Sequence, residues 1–403
     1  MATEMLAADL DRYIAFGVKV SGGPGDNGCG LWLERELRAA GFTTARQGFP
    51  VPGFDLRDAS LVTGAGPVPI IPAGIPVPTG PKGIVAPLAA MDPHDAGALD
   101  FAGKIVLIDL PHARWSSMTD ASIHKALSRA FAADALAALL VTHGPTGKAI
   151  VLNCDVHGSG FDRPVATIAP DRTGATRSGT KATLVIDGDP ATRTAFNLVG
   201  RLDRGKGRWL IVSTPRSGWT VCAGERGPGI ASWLALARWA PAAPPDHDLL
   251  FLCNSGHEYE NLGATHALSA DTPAPDVCAL WLHLGANVAA RDWHDLGGGR
   301  LLPLPSADPQ RFLLASEALV GDARTAFAGL AGLEMAYPIG AGAAGELATI
   351  AAAGYRSIAG IFGAHRFHHI AEDDARCVNA QLVSPVVAAC RQFILSTIGL
   401  RSR

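Results

Sequence analysis

Residues 251–264 read FLCNSGHEYENLGA. The run that opens them, DLLFLCN (248–254), is almost uncharged and lacks the in–out alternation of a half-exposed strand. Such a run suits a strand covered by helices on both faces. It then delivers His257, Glu258 and Glu260 to one turn before Gly263. Imidazoles and carboxylates gathered at a strand end call for a metal ion, a substrate or a partner to satisfy them. In open α/β sheets, ligands collect at the carboxyl ends of the strands.

The same arrangement recurs on either side. RWLIVST (208–214) runs into Pro215 and Arg216, and a short loop then carries Glu225 ahead of a helix expected from about Pro228. VCALWLHL (277–284) carries His283 at its end, and SIAGIF (357–362) leads into GAHRFHHIAEDD with His365, His368, His369, Asp373 and Asp374. Helices are expected between these strands at GIASWLALARWA, THALSA, PQRFLLASEALVGDARTAF (309–327) and GELATIAAAG, with a last one over 379–397. Two helices precede them, LAADLDRYIAFG and LWLERELRAAG, the second stopped by Gly41. The alternation predicts an α/β sandwich with a mostly parallel central sheet over 1–56 and 188–403. Between these segments, 57–187 reads as an inserted β-rich unit: short β-branched runs (ASLVTG, KIVLIDL, ALLVTHG, PVATIA, KATLVIDG) and one helix near 121–137.

Bulk properties narrow the function. At 403 residues the chain exceeds the usual size of a single core. With 48% hydrophobic and 18% charged residues it is core-forming rather than disordered. A net charge of −3 and the absence of a basic stripe argue against nucleic acid as a partner. Apolar runs such as ALAALLV (135–141) fall far short of a bilayer span, so no membrane partner is expected. Seven scattered cysteines without CxxC spacing, and an acidic start (MATEMLAADLDRYIAF), predict reduced thiols and a cytoplasmic location. A homo-oligomer is compatible with all of this.

Histidine and carboxylate donors together suit zinc or another first-row divalent ion. The ordered set of segments resembles the M28 family of zinc aminopeptidases and carboxypeptidases over nearly the whole chain. CAGERGPGIASWLALAR is similar to that family's GANDNASG segment and following helix, FLCNSGHEYENLGATHAL to its strand ending in EExGxxGS, WLHLGAN to NLDMIG, and FHHIAEDD to its H-x-x-x-D element. FAGKIVLIDL and AFAADALAALLVTH resemble the protease-associated (PA) domain often inserted there. The resemblance implies a three-layer phosphorylase/hydrolase-like sandwich and a metal-dependent hydrolase of a C–N bond in a small amide, amino-acid conjugate or short peptide.

Carried over position by position, the resemblance also marks departures. Thr214-Pro215-Arg216 stands where the family has a ligating His-x-Asp, Glu225 at the bridging aspartate, and His257 at the glutamate base. Glu258 and His369 match ligand positions, His283 replaces a ligand aspartate, and Glu346 holds an acidic position. The implied metal ligands are therefore Glu225, Glu258, His283 and His369, with Glu225, His283 and His369 holding a single ion. That ion is zinc, with iron, manganese or cobalt as alternatives. His257 is expected as proton-transfer base or as a ligand, and Glu346 as a proton-transfer group or a plain surface residue. Arg216 is expected to clamp an anionic substrate group or to replace a missing charge. His365 is expected to line the pocket, His368 to pack away from it, and Asp373 to orient His369 or cap the last helix. The rival reading is a metal-free binding protein on a decayed peptidase fold.

Overall fold

A computed structural model describes residues 2–93, 100–175, 178–244, 246–270 and 272–399. The chain divides into two compact units, Met1–Pro50 with Thr194–Arg403, and Val51–Arg193. The second unit starts and ends a few residues outside the expected 57–187, because two long strands, Thr43–Thr63 and Lys181–Leu202, run on through both chain crossings.

The first unit is built on helices α1 (Ala2–Ala15) and α2 (Pro24–Ala39) and strands β1 (Thr43–Thr63) and β2 (Lys181–Leu202). There follow β3 (Trp209–Pro215), α3 (Ala223–Trp239), β4 (Asp248–Asn254), α4 (Leu262–Ala270) and β5 (Cys278–Leu284). The chain ends with β6 (Arg311–Ala315), α5 (Gly345–Ala352), β7 (Ile358–Gly363) and α6 (Ala380–Ile394). In this unit the sheet runs β6-β7-β5-β3-β4-β2. Its four inner strands, β7, β5, β3 and β4, are parallel, and the flanking β6 and β2 are antiparallel to their neighbours. All residues of β3, β4 and β5 are buried.

Burial on both faces follows from the two-residue period of a strand. Leu210 and Val212 face a core shared with Leu10, Leu33, Trp233 and Phe393, while Trp209 and Ile211 face a second core with Leu347 and Ile350. Helices α1, α2, α3 and α6 thus cover one face and α5 the other, which is the expected three-layer sandwich. Ala380–Gly399 is long and apolar enough to cross a membrane by length and composition, yet Val383, Val386, Cys390 and Phe393 pack into the core. The expected helix over 309–327 is largely wrong. Its first part is the strand β6, paired with β7 on one side and with the short strand Tyr337–Pro338 on the other, and only Val320–Ala326 is α-helical. A short apolar run such as RFLLA fits strand or helix equally, and pairing with neighbouring strands decides it.

In the Val51–Arg193 unit, Ile84–Met91, Ile105–Asp109, Ala137–Val141 and Val165–Ile168 form parallel neighbours, with helix Ala121–Ala132 alongside. Their alternate residues Leu88, Ile105, Leu107, Leu139 and Ile168 make a separate core. All seven cysteines are buried and free.

Arg216 holds the catalytic-looking end of the first unit together. Its side chain is fully buried and pairs with Asp26 at 2.9 Å. Nη1 donates to Cys253 O at 2.9 Å and Nη2 to Phe196 O at 2.6 Å. The guanidinium therefore ties α2, β2 and β4 to the end of β3, and the expectation that it clamps substrate is corrected: its donors are spent on Asp26, Cys253 and Phe196. Breaking a buried pair by removing one partner costs about 3–5 kcal/mol. Arg216→Met is therefore expected to lower unfolding free energy by about that amount in denaturant titration, and an unchanged midpoint would refute this bracing role.

Candidate functional site

The parallel strands all point their carboxyl ends one way. Register places Asn254 beside Pro215 and His283 beside Ser213, so the residues following β3, β4, β5 and β7 emerge along one rim. After β4 the chain reverses through Glu260 (φ 48°) and Asn261 (φ 64°) rather than at Gly263. Gly263 is required for a different reason: a Cβ there would lie 1.8 Å from Ser255 O. That close approach seats Ser255–Glu258 against the sheet.

Glu225 lies inside α3, in its first turn, because the helix starts at Ala223 rather than near Pro228. Cys222, at the N-cap in a left-handed conformation, offers no side-chain cap. Asp373 supplies one, accepting from Gly224 N at 2.6 Å and Glu225 N at 3.0 Å. A carboxylate is favoured there by the orphan N–H groups and the positive end of the helix dipole. A Cβ on Gly224 would meet His365 at 2.7 Å and Cys377 at 3.0 Å, so glycine lets α3 abut the 365–377 loop. Asp373 thus caps the helix that carries Glu225, not the last helix.

This docking brings Glu225, His368 and His369 together, all buried, with one donor atom of each within 4.8 Å of the others. His369 Nε2 is 3.3 Å from Glu225 Oε1, and the two imidazoles stack with centroids 3.9 Å apart. His369 adopts φ 59°, a conformation uncommon outside glycine and held here by the surrounding packing. Neither Glu225 oxygen has a hydrogen-bonding partner of good geometry among the described residues. Burial alone would raise its carboxyl, but Arg226, His369 and His368 outweigh that and hold it well below the usual range. The Arg226 guanidinium lies 2.7 Å from Glu225 Oε1. His368, expected to pack away, is thus part of the cluster, and Arg226 was not anticipated at all. The signal for Arg226 was present: an Arg beside a Glu in a stretch otherwise without charge, CAGERGPGIASWLALA.

The other expected ligands are engaged elsewhere. Glu258, fully buried, accepts from Ser21 N at 2.6 Å and Ser217 Oγ at 2.7 Å. Burial pushes its carboxyl up. His283 Nδ1 lies 2.9 Å from Ser213 Oγ, which also accepts from Trp281 Nε1 at 2.7 Å. Among the described residues the close donor clusters include Glu225 and His369 but neither Glu258 nor His283, so the expected quartet is not gathered within 4.8 Å. His365, fully buried, lies 3.3 Å from Asp373 and groups with Asp373 and Cys377. It lines no opening and helps tie the 365–377 loop, which corrects the expectation of a substrate contact.

His257 and Glu346 do meet. Glu346, in the first turn of α5, is buried rather than on the surface, and its Oε1 lies 3.3 Å from His257 Nδ1. Its Oε2 accepts from Asn254 Nδ2 at 2.8 Å. Burial pushes Glu346 up, but the His257 hydrogen bond and the nearby His283 outweigh it and leave it below its ordinary range. A carboxylate can only accept, so the proton sits on Nδ1 and Nε2 carries the free lone pair. Burial, then Arg226, hold His257 below its usual pKa, so it is neutral near pH 7.

No protein-family model and no curated protein matches the sequence. Among solved structures, a zinc aminopeptidase from Bacillus subtilis matches with TM-score 0.77 and 16% identity, covering 100% of this chain and 96% of that one. A Peptidase M28 precursor from Shewanella amazonensis SB2B matches with TM-score 0.72 and 15% identity, covering 98% and 92%. An aminopeptidase from Aneurinibacillus sp. strain AM-1 matches with TM-score 0.69 and 16% identity, covering 98% and 93%. The chain has the fold of the M28 peptidases and zinc aminopeptidases, over its whole length.

Burial lowers His283 to about 4. The unfolded chain takes up this proton near pH ~6.5, so between those values it binds more protons than the folded chain. Stability is then full above the unfolded value and is lost as pH falls from about 6.5 to about 4, by up to about 3 kcal/mol for this group. His283→Asn is expected to flatten the acid limb of the melting-temperature profile of metal-free protein; an identical slope would contradict it.

Proposed function

We propose that this chain is a hydrolase of a C–N bond in a small amide, amino-acid conjugate or short peptide, dependent on one divalent ion. The observation that carries this reading is Glu225: a fully buried carboxylate beside two imidazoles, its Oε1 within ion-pair reach of Arg226 and His369 and its Oε2 without a hydrogen-bond partner among the described residues. One carboxylate and two imidazole nitrogens suit zinc, and also iron, manganese or cobalt. Glu225, His368 and His369 are the residues that hold it in this reading. The bound ion supplies Lewis acidity, polarising a carbonyl and lowering the pKa of water.

The chain's own groups do the remaining work. His257 accepts a proton on Nε2 and returns it to the leaving nitrogen, while Glu346 fixes the tautomer and stabilises the imidazolium that forms. Asn254 steadies Glu346 in turn. His283 is held in place by Ser213. Ser21 and Ser217 consume both Glu258 oxygens and leave this carboxylate a brace of the β4 turn. The Val51–Arg193 unit, with its parallel strands and single flanking helix, is read as the PA-like insertion. Buried free thiols support a reducing, cytoplasmic setting.

Elemental analysis of the zinc-exposed, dialysed full chain is expected to give about one ion per chain. His369→Ala and Glu225→Gln are each expected to abolish retention. His257→Asn should retain the ion while kcat on a responsive amide substrate falls about 10²–10⁴-fold. Retention of no metal by the folded wild type would overturn this reading in favour of a metal-free binding protein.

A further inference from the structure

Arg226 is 1% exposed, and its side chain projects from the same first turn of α3 as Glu225. Nε donates to Ser217 O at 3.2 Å, and Nη2 stands 2.7 Å from Glu225 Oε1. Nη1 has no hydrogen-bonding partner among the described residues, and Nη2 makes none of good geometry. The guanidinium thus sits on the carboxylate that His369 also approaches, and its charge lowers the pKa of the nearby His257 imidazole. A buried cationic donor left unsatisfied is costly, so such a group is expected to have an oxygen acceptor in the working state.

We propose that Arg226 is the anion-binding residue of this site, its unpartnered Nη1–H groups, beside the Nη2–Glu225 ion pair, taking a carboxylate of the substrate. The guanidinium is planar and keeps its charge at any working pH, and its paired donors match the two oxygens of a carboxylate. Glu225 pairs with Nη2 and leaves the Nη1 donors open to a second anion. Arg216, the other arginine near this rim, has all its functional directions taken by Asp26, Cys253 and Phe196. The substrate class this favours is an amide bearing a free carboxylate, such as an N-acyl amino acid or the C-terminal residue of a short peptide. This choice of amide rests on the hydrolase reading above; carboxylate recognition by Arg226 does not.

The test is calorimetric titration of the metal-free full chain with N-acetylglycinate and, separately, with the neutral N-acetylglycinamide. The wild type is expected to bind the carboxylate at least about tenfold more tightly, the effect of one charge-assisted hydrogen-bonded pair. Arg226→Gln is expected to bring the ratio close to one, and Arg226→Lys to keep part of it, because the charge survives and the fork does not. A wild type without preference, or a folded Arg226→Gln that keeps it, overturns the proposal. If Arg226→Gln does not fold, Arg226→Lys decides, an undiminished preference counting against the forked contact. Zinc content measured on the same wild-type preparation separates the two readings: no zinc with an intact carboxylate preference sinks the hydrolase and leaves the anion site.

Discussion

The negative charge of Glu225 is the constraint around which this end of the molecule is arranged. A carboxylate taken wholly out of water is expensive unless opposite charge and hydrogen-bond donors answer it. Here the answer comes from three directions: the guanidinium on the next residue, the imidazoles of His368 and His369, and the amino end of α3 itself. Asp373 makes the last possible by capping the same helix with a second carboxylate. The consequence is a dense, alternating set of charges at the rim of a parallel sheet whose interior is otherwise apolar.

That set divides into parts with different tasks. Arg216 with Asp26, Glu258 with Ser21 and Ser217, and His365 with Asp373 close the backbone at the strand ends; every one of these groups has its partners inside the protein. Glu225, His368 and His369 form a second group, in which donor atoms face one another. His257 and Glu346 form a third, an oriented imidazole with a free Nε2. The fold is that of the zinc aminopeptidases, and the chemistry lies in the side chains this chain itself presents.

Much of this was legible in the residues. Strands without charge or alternation announced a sheet covered on both faces; His257, Glu225 and His369 follow strand ends in the sequence, and Glu346 is marked there only by the family resemblance. What failed did so for identifiable reasons. RFLLA became a strand because it pairs with β7 on one side and Tyr337–Pro338 on the other, which no local pattern reports. His283 and Glu258 occupy ligand positions in order along the chain, yet Ser213 and Ser217 lie close enough to engage them, and serines at such distances in sequence carry no warning. His368 was set aside as the wrong neighbour of His369, although the left-handed backbone at His369 turns both rings to the same side. Arg226 carries no ligand-type signal in the sequence, because a guanidinium cannot bind a cation and only its contact with Glu225 reveals its place.

The account stands most directly on where a cation settles. An anomalous-difference map from crystals soaked in zinc answers that question atom by atom. The account requires a single strong peak at roughly 2.0–2.2 Å from a nitrogen of His369 and an oxygen of Glu225, with His368 in reach and Arg226 Nη1 left free. A peak among His365, Asp373 and Cys377 instead, or no peak at a rim whose side chains keep the arrangement described, would contradict it.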